Sequence, residues 1–247
     1  MASIRLGTWN MRESVAVAGN EYAIAEIAET LDGLSLDVLV LQEVPFDKNC
    51  HSTEIDAITG HSDLRYHSTF PLSPSAFHDG GLSGLAVVSR TPLRVISRTY
   101  LPNPLMQVDG DTGRIVSWDK GMLLVQVGDG SSSLYIASLH VFPFRMFRRD
   151  PADLEFDNIW KSLADGLDQI AGSALVAGDF NTDQLGLITT KLTKRSMQPL
   201  VKGAGGTLDD ILCDADISLK NLRVKETFSD HPLLAAELLV NSDLPWT

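Results

Sequence analysis

Short apolar runs rich in β-branched residues recur along the whole chain and constrain its fold most strongly. Most are five to eight residues long, the length of a buried strand, and are bounded by polar or turn-forming residues. The runs are IRLGTW, DVLVLQ, LAVVS, LRVIS, MLLVQV, LYIASL, ALVAG, DILC and LLAAELLV. We therefore predict a protein in which strands outnumber helices.

Helical patterns lie between some of these runs. One helix is expected to begin at an Asn20 cap and to stop at Gly33. A second is expected to have Asp150 as its cap and Pro151 at its first position, with an apolar face that continues to a stop at Gly172.

The segment 46–81 is polar and carries four of the six histidines. Their spacing lacks the CxxC or HExxH geometry of zinc sites, which argues against a ligand role. We expect a surface loop here. The histidines concerned are His51, His61, His67 and His78.

Length and composition predict one globular domain covering residues 1–247. Hydrophobic residues make up 44% of the chain, and no linker, repeat or low-complexity tract divides it. Since the start resembles no signal peptide and no run approaches a membrane span, we expect a soluble, cytoplasmic protein with no transmembrane segment. Cys50 and Cys213 form no disulfide framework, which is consistent with a reducing compartment.

The formal net charge of −12 argues against a protein that coats nucleic acid nonspecifically, because its overall field repels polyanions. An enzyme with a basic or metal-loaded cleft remains compatible with that charge. Nothing in the sequence indicates an obligate protein partner.

Four of the apolar runs end in a polar side chain that can do chemistry. The residues are Asn10, Glu43, His140 and Asp179, with Asn181 two positions beyond. Two later runs begin with such groups instead, at Asp209-Asp210 and at Asp230-His231. If the later strands run antiparallel to the first four, all six positions meet at one rim.

Each of these residues also has an ordinary structural interpretation, as a turn residue, a surface acid, a semi-buried histidine or a cap. Several carboxylates at one rim, however, repel one another and lose solvation, and a divalent cation offsets that cost. Oxygen ligands suit Mg²⁺, Mn²⁺ or Ca²⁺ better than zinc. Such a cation beside two histidines and an Asp/Asn pair suits phosphoester hydrolysis.

The ordered series TWNMR, LQEV, GLAVVSRTPL, SLH, GDFN, LDDIL and SDHP resembles the motifs of the endonuclease/exonuclease/phosphatase superfamily, also called DNase I-like. The resemblance spans Thr8 to Pro232. It implies an α+β fold, a four-layer α/β/β/α sandwich of two packed and largely antiparallel sheets, with Mg²⁺ or Mn²⁺ as the cofactor.

Carried over by motif, the resemblance makes Glu43 the main metal ligand, with Asn10 and Asp230 completing or supporting the site. Asp179 would orient or deprotonate the attacking water, and Asn181 would hydrogen-bond the phosphate. The remaining roles are phosphate contact by His231, orientation of that imidazole by Asp209, and a second phosphate-side donor at His140.

Some positions depart from the family pattern. Arg12 stands where members similar to abasic endonucleases carry an acid, so it is assigned to substrate binding rather than to the metal. The LDDIL motif offers Asp209 or Asp210, and Asp209 is chosen because the acid usually follows the aliphatic residue directly. The Asp-Arg pair of inositol polyphosphate 5-phosphatases is absent from that motif.

The segment after His140, VFPFRMFRRD, reverses the local charge. It contributes +2 between Phe142 and Asp150, from three arginines and one aspartate, which leaves −14 for the rest of the chain. Interleaved arginines and aromatic rings can clamp phosphates and stack bases. The alternatives are phenylalanines that anchor the loop to the core, or a patch for lipid or protein. The candidate substrate-binding residues are Arg145, Arg148 and Arg149.

Three hypotheses follow. The first is a metal-dependent phosphodiesterase acting on nucleic acid or on a 5′ adduct of DNA. The second is a phosphatase or sphingomyelinase-like phospholipase. The third, an inactive binding module on the same scaffold, is disfavoured because each motif position keeps a competent side chain.

Overall fold

The computed structural model describes residues 2–18, 22–110, 113–128, 133–203 and 207–241. Within these ranges the chain forms two six-stranded sheets that pack face to face, together with a small separate hairpin. Apolar side chains from both inner faces fill the space between the sheets.

The first sheet places the chain's opening strand near its middle. Its order is β13 (Ile217–Lys225), β14 (Leu233–Val240), β1 (Ala2–Asn10), β2 (Val38–Phe46), β4 (Leu82–Ser89) and β3 (Tyr66–Pro74). Strand β1 is parallel to β2 and antiparallel to β14.

The second sheet repeats this arrangement. Its order is β11 (Met197–Pro199), β12 (Asp209–Asp214), β10 (Ala174–Asp179), β9 (Leu134–His140), β8 (Gly121–Val127) and β5 (Leu93–Tyr100). Strand β10 is parallel to β9 and antiparallel to β12. The hairpin consists of β6 (Gln107–Gly110) and β7 (Gly113–Val116).

Helices cover the outer face of each sheet. Helices α1 (Ile24–Leu31) and α2 (Thr53–His61) contribute to the apolar cluster on the first sheet. Helix α3 (Asp157–Asp168) and the single turn α4 (Gly186–Thr189) contribute to the cluster on the second. The predicted α+β class and four-layer α/β/β/α sandwich are therefore confirmed. No described helix is long and apolar enough to cross a membrane.

All nine apolar runs form strands, as predicted. The prediction of a surface loop over 46–81 is wrong, because that segment contains α2 and β3. Ser52 caps α2 by accepting a hydrogen bond from the Ile55 backbone N–H at 3.4 Å, and β3 pairs along its length with β4.

The predicted start of the second helix is also wrong. The Asp150 carboxylate accepts a hydrogen bond from the Ala152 backbone N–H at 2.9 Å and closes a turn instead of capping a helix. A short 3-10 turn over Leu154–Phe156 follows, and α3 begins only at Asp157. The first helix begins at Ile24, and its predicted cap, Asn20, lies outside the described residues.

The two sheets are joined by polar contacts just beneath the rim where β1, β2, β9 and β10 end. The Gln42 amide donates to the Thr8 and Ser138 hydroxyl oxygens at 3.4 Å each. The Ser138 hydroxyl in turn donates to the Leu41 carbonyl at 2.9 Å. Because β12 and β14 run antiparallel to these strands, their first residues lie at this same rim.

Candidate active site

Asp179 is the centre of a buried polar cluster at the rim. It accepts a hydrogen bond from the Asn10 amide at 3.1 Å. The Nε2 atoms of His140 and His231 lie 3.6 and 3.8 Å from its carboxylate. The structure thus brings together groups from both sheets that are far apart in the sequence.

Asp179, the last residue of β10, follows a glycine at which the backbones of β10 and β9 lie very close together. Gly178 has a φ of 151°, and a Cβ atom there would lie 2.0 Å from the Leu139 carbonyl oxygen of β9. Only glycine permits so close an approach between the two backbones.

His231 is held by Asp209. Its Nδ1 lies 2.7 Å from an Asp209 carboxylate oxygen, which leaves Nε2 directed toward the cluster. Asp210 has a different environment, since its carboxylate accepts hydrogen bonds from the Val201, Lys202 and Ile211 backbone N–H groups. This geometry favours Asp209 over Asp210 as the histidine's partner.

Burial and charge shift the pKa values of the cluster in opposite directions. Burial, together with the nearby charge of Asp209, raises the pKa of Asp179 to about 7. Burial alone would lower the pKa of His231, but the hydrogen bond and charge of Asp209 outweigh it and raise that pKa to about 10. Burial and the charge of Lys120 hold the pKa of His140 well below 6.5. At neutral pH the cluster thus contains one cationic and one neutral imidazole.

Lys120 is a member of the site that sequence reasoning missed. Its Nζ lies 2.9 Å from Nε2 and 3.2 Å from Nδ1 of His140. Burial lowers its pKa, although the charges of Glu43, Asp179 and Glu13 oppose that effect. Its position just before the run MLLVQV could have indicated a site residue, because β8 is antiparallel to β9 and therefore begins at the same rim.

Glu43 projects from a β-bulge. The pairing of β2 with β4 shifts register between Leu41 and Val44, and Glu43 has a φ of 49°. A bulge redirects a side chain that would otherwise follow the alternation of the strand. The Glu43 carboxylate lies 3.7 Å from His140 Nε2 and is 27% exposed, so it is accessible at the rim.

The rim carries oxygen donors of the kind that a hard divalent cation prefers. Glu43 and Asp230 offer accessible carboxylates, and oxygen donors are the ligands that Mg²⁺ and Mn²⁺ prefer. Asp179, Asp209 and His231 place one donor atom each within 4.8 Å of one another. Asp209 Oδ1 is buried and has no hydrogen-bond partner among the described residues. The Asn10 amide oxygen accepts from the Arg12 backbone N–H at 3.0 Å, so this amide orients the surrounding groups.

Asn181 and Arg12 lie on either side of the cluster. The Asn181 backbone N–H donates to Asp179 at 2.8 Å and its amide donates to the Val141 carbonyl at 2.9 Å. Arg12 Nε lies 3.9 Å from Asp230. Asn181 follows β10 of the second sheet and Arg12 follows β1 of the first.

The segment after β9 separates its aromatic residues from its basic ones. Phe142, Phe144 and Phe147 are at most 6% exposed and belong to the core beneath the second sheet, which confirms the anchoring interpretation. The arginines of this segment are exposed. They border a cavity of about 320 Å³ that Asn181 and Thr182 also line. The arginines are Arg145, Arg148 and Arg149.

Comparison with protein families finds a match to the endonuclease/exonuclease/phosphatase family over residues 7–231. That match covers every residue of the cluster. A search of curated proteins finds no match to the chain.

Solved structures of the same fold are distant in sequence. An endonuclease/exonuclease/phosphatase from Beutenbergia cavernae DSM 12333 superposes with a TM-score of 0.70 at 17% identity, covering 97% of this chain and 72% of that one. TDP2 of D. rerio, complexed with a single-strand DNA product, gives 0.59 at 10% identity and covers 97% and 100%. Sphingomyelinase C from Streptomyces griseocarneus gives 0.57 at 13% identity and covers 96% and 99%.

Proposed function

Because the chain belongs to the endonuclease/exonuclease/phosphatase family, a family of phosphoester hydrolases, we propose that it is a Mg²⁺- or Mn²⁺-dependent phosphodiesterase whose substrate is nucleic acid. One observation carries the proposal. Asp179 lies within 4 Å of Asn10 and of two imidazoles whose pKa values are shifted in opposite directions. Structural packing alone does not require so costly a set of buried polar groups.

The residues divide the reaction between them. Glu43 and Asp230, supported by Asn10, would hold the cation, which supplies charge neutralisation at the phosphate when bound. The Asp179 carboxylate, with a pKa near 7, accepts a proton from the attacking water as the water oxygen bonds to phosphorus. The ester P–O bond then breaks, and the leaving oxygen takes up a proton from solvent.

Hydrogen-bond donors surround the position proposed for the phosphate. His231 keeps its proton at neutral pH and stabilises the negative charge that develops on a phosphate oxygen. Asn181 contributes its amide, and the neutral His140 imidazole would supply a second donor through the ring nitrogen that does not accept a hydrogen bond from Lys120. Asp209 acts through His231, as a positioning residue.

The exposed arginines favour nucleic acid as the substrate. A chain of net charge −12 that places three exposed arginines around a cavity beside Asn181 has a local site for further phosphates, and one of the three, Arg149, also pairs with Glu155 at 3.6 Å. TDP2, with its bound single-strand DNA, has this fold at 10% identity, and this similarity is one line of support.

A substrate panel tests the proposal. The full chain is incubated with single- and double-stranded DNA, RNA, a 5′-tyrosyl DNA adduct, a phosphoinositide and sphingomyelin, each with Mg²⁺ and with excess chelator. We expect Mg²⁺-dependent cleavage of a nucleic-acid substrate. Hydrolysis of the lipids alone would show that the substrate is a lipid and not nucleic acid. Cleavage that persists in chelator would refute the metal requirement.

A further inference from the structure

The turn after β1 has an unusual backbone. Three consecutive residues other than glycine, Arg12, Glu13 and Ser14, have φ values of 48°, 52° and 59°. The left-handed region is unfavourable for L-residues, so such a run persists only where surrounding contacts fix it, and it often marks a functional site.

Buried Glu13 supplies those contacts. Its carboxylate accepts hydrogen bonds from the Ser75 hydroxyl and from the Ala76 backbone N–H, the latter at 3.0 Å. A ring nitrogen of His78 lies 3.1 Å from the Glu13 carbonyl oxygen. The strained turn therefore fixes the loop between β3 and β4 against the rim.

This loop, together with Tyr22 just before α1, presents an aromatic surface to solvent. Phe77 is 39% exposed, and the Arg12 guanidinium carbon lies 5.0 Å from its ring centroid. Tyr22 is 58% exposed and its ring lies 4.8 Å from that of His78. Because Arg12 also approaches Asp230 at 3.9 Å, this surface is continuous with the candidate active site.

Packing does not account for the exposure of Phe77. The loop that follows β9 buries each of its phenylalanines in the core, whereas here buried Glu13 anchors the loop and leaves the ring accessible. A planar ring beside a guanidinium group suits a planar ligand that carries negative charge, since the ring can stack and the cation can pair with the anion.

We propose that Phe77 and Arg12 form a subsite that binds the base of the nucleotide next to the scissile phosphate, with Phe77 stacking on the base. This inference rests on the proposed function and deepens it. The base lies on the first sheet's side of the rim, while the arginines after β9 receive phosphates on the second sheet's side. Phe77 thus determines specificity, because efficient cleavage depends on a base beside the bond that is cut.

A fluorescence titration tests this subsite without any turnover. Phe77→Trp is titrated with adenosine 5′-monophosphate and with ribose 5-phosphate in metal-free buffer, and the wild-type signal is subtracted. We expect saturable quenching by the nucleotide, with an apparent affinity about tenfold above that for the sugar phosphate. Tyr66→Trp is the matched control, since Tyr66 is an exposed aromatic residue at the opposite end of the first sheet. Equal responses to both ligands, or equal quenching in the control, would overturn the subsite.

Kinetics provide a second readout. Phe77→Ala should lower kcat/KM about tenfold on a single-stranded oligonucleotide and leave it unchanged when the base beside the cleaved bond is removed. An equal loss on both substrates would refute stacking, and circular dichroism establishes that the variant is folded. If the wild type cleaves no nucleic acid, the proposed function fails, and the titration still decides whether the subsite binds a base.

Discussion

Replacing Asp209 by asparagine tests the electrostatic account of the site most quantitatively. The substitution keeps the shape of the side chain but removes the charge 2.7 Å from His231 Nδ1. The His231 side chain is only 22% exposed, so solvent screens this interaction weakly. We expect the variant to lose much of the interaction that keeps His231 protonated.

The size of the effect follows from the pKa of His231. An increase from 6.5 to about 10 corresponds to roughly 5 kcal/mol of preference for the protonated form. Asp179 and Asp230 share in that increase, so we assign roughly 2 to 3 kcal/mol to Asp209. The pKa of His231 in Asp209→Asn should therefore fall by about 2.

The same shift predicts how stability depends on pH. A histidine whose pKa is raised by folding contributes its full stabilisation below pH 6.5, and this contribution is lost as the pH rises toward 10. Relief of the repulsion between Asp179 and Asp209 stabilises the variant only where Asp179 is ionised, at and above about pH 7, so it also reduces the destabilisation as the pH rises. The destabilisation by Asp209→Asn should therefore shrink between pH 6 and pH 10.

Two assays measure these quantities in metal-free protein. Titration of the His231 ring by NMR gives its pKa in the wild type and the variant, and urea unfolding at several pH values gives the free energies. Asp210→Asn is the control at a neighbouring carboxylate, which accepts hydrogen bonds from three backbone N–H groups of the described residues. An unchanged His231 titration, or a stability difference that does not vary with pH, would refute the reasoning.

Three further predictions concern other parts of the structure. Asp179→Asn should reduce turnover about 10²- to 10⁴-fold. Because burial and the charge of Asp209 raise the pKa of Asp179 to about 7, the ionised acid destabilises the fold, so the variant should unfold at a higher temperature than the wild type at pH 8 and show no such gain below pH 3.8. A variant less stable than the wild type at pH 8 would count against this reasoning. Replacing Arg145, Arg148 and Arg149 by glutamate should weaken binding of single-stranded DNA and flatten the slope of log affinity against log salt by about 2; an unchanged slope would remove these residues from the interface. Gly178→Ala should cost at least about 2 kcal/mol in urea unfolding, since the added Cβ would lie 2.0 Å from a carbonyl oxygen of β9; an unchanged unfolding midpoint would contradict that packing.

Much of the sandwich could be predicted from the sequence because its central strands are buried on both faces and are therefore continuously apolar. Strand β13 was not predicted, since as an edge strand it alternates with exposed polar residues such as Lys220 and Arg223. Strand β3 was hidden in the polar segment for the same reason, because only part of it is buried.

The candidate site shows a similar division. Residues at the ends of apolar runs, such as Asn10 and Asp179, were predictable because strand direction determines where the ends meet. Lys120 and Glu13 were not, since a single lysine before a run or a single acid in a turn has no distinctive pattern. The positions of these two residues depend on contacts between segments distant in the chain, which local sequence does not encode.

We propose that the fold gathers acids, amides and imidazoles at one rim, where a divalent cation would assist the cleavage of a phosphodiester. The most direct test is the rate of phosphodiester hydrolysis as a function of Mg²⁺ concentration in the wild type and in Glu43→Gln. We predict saturable activation in the wild type and a much higher Mg²⁺ requirement in the variant. A wild-type rate independent of Mg²⁺, or identical curves for the two proteins, would contradict the claim.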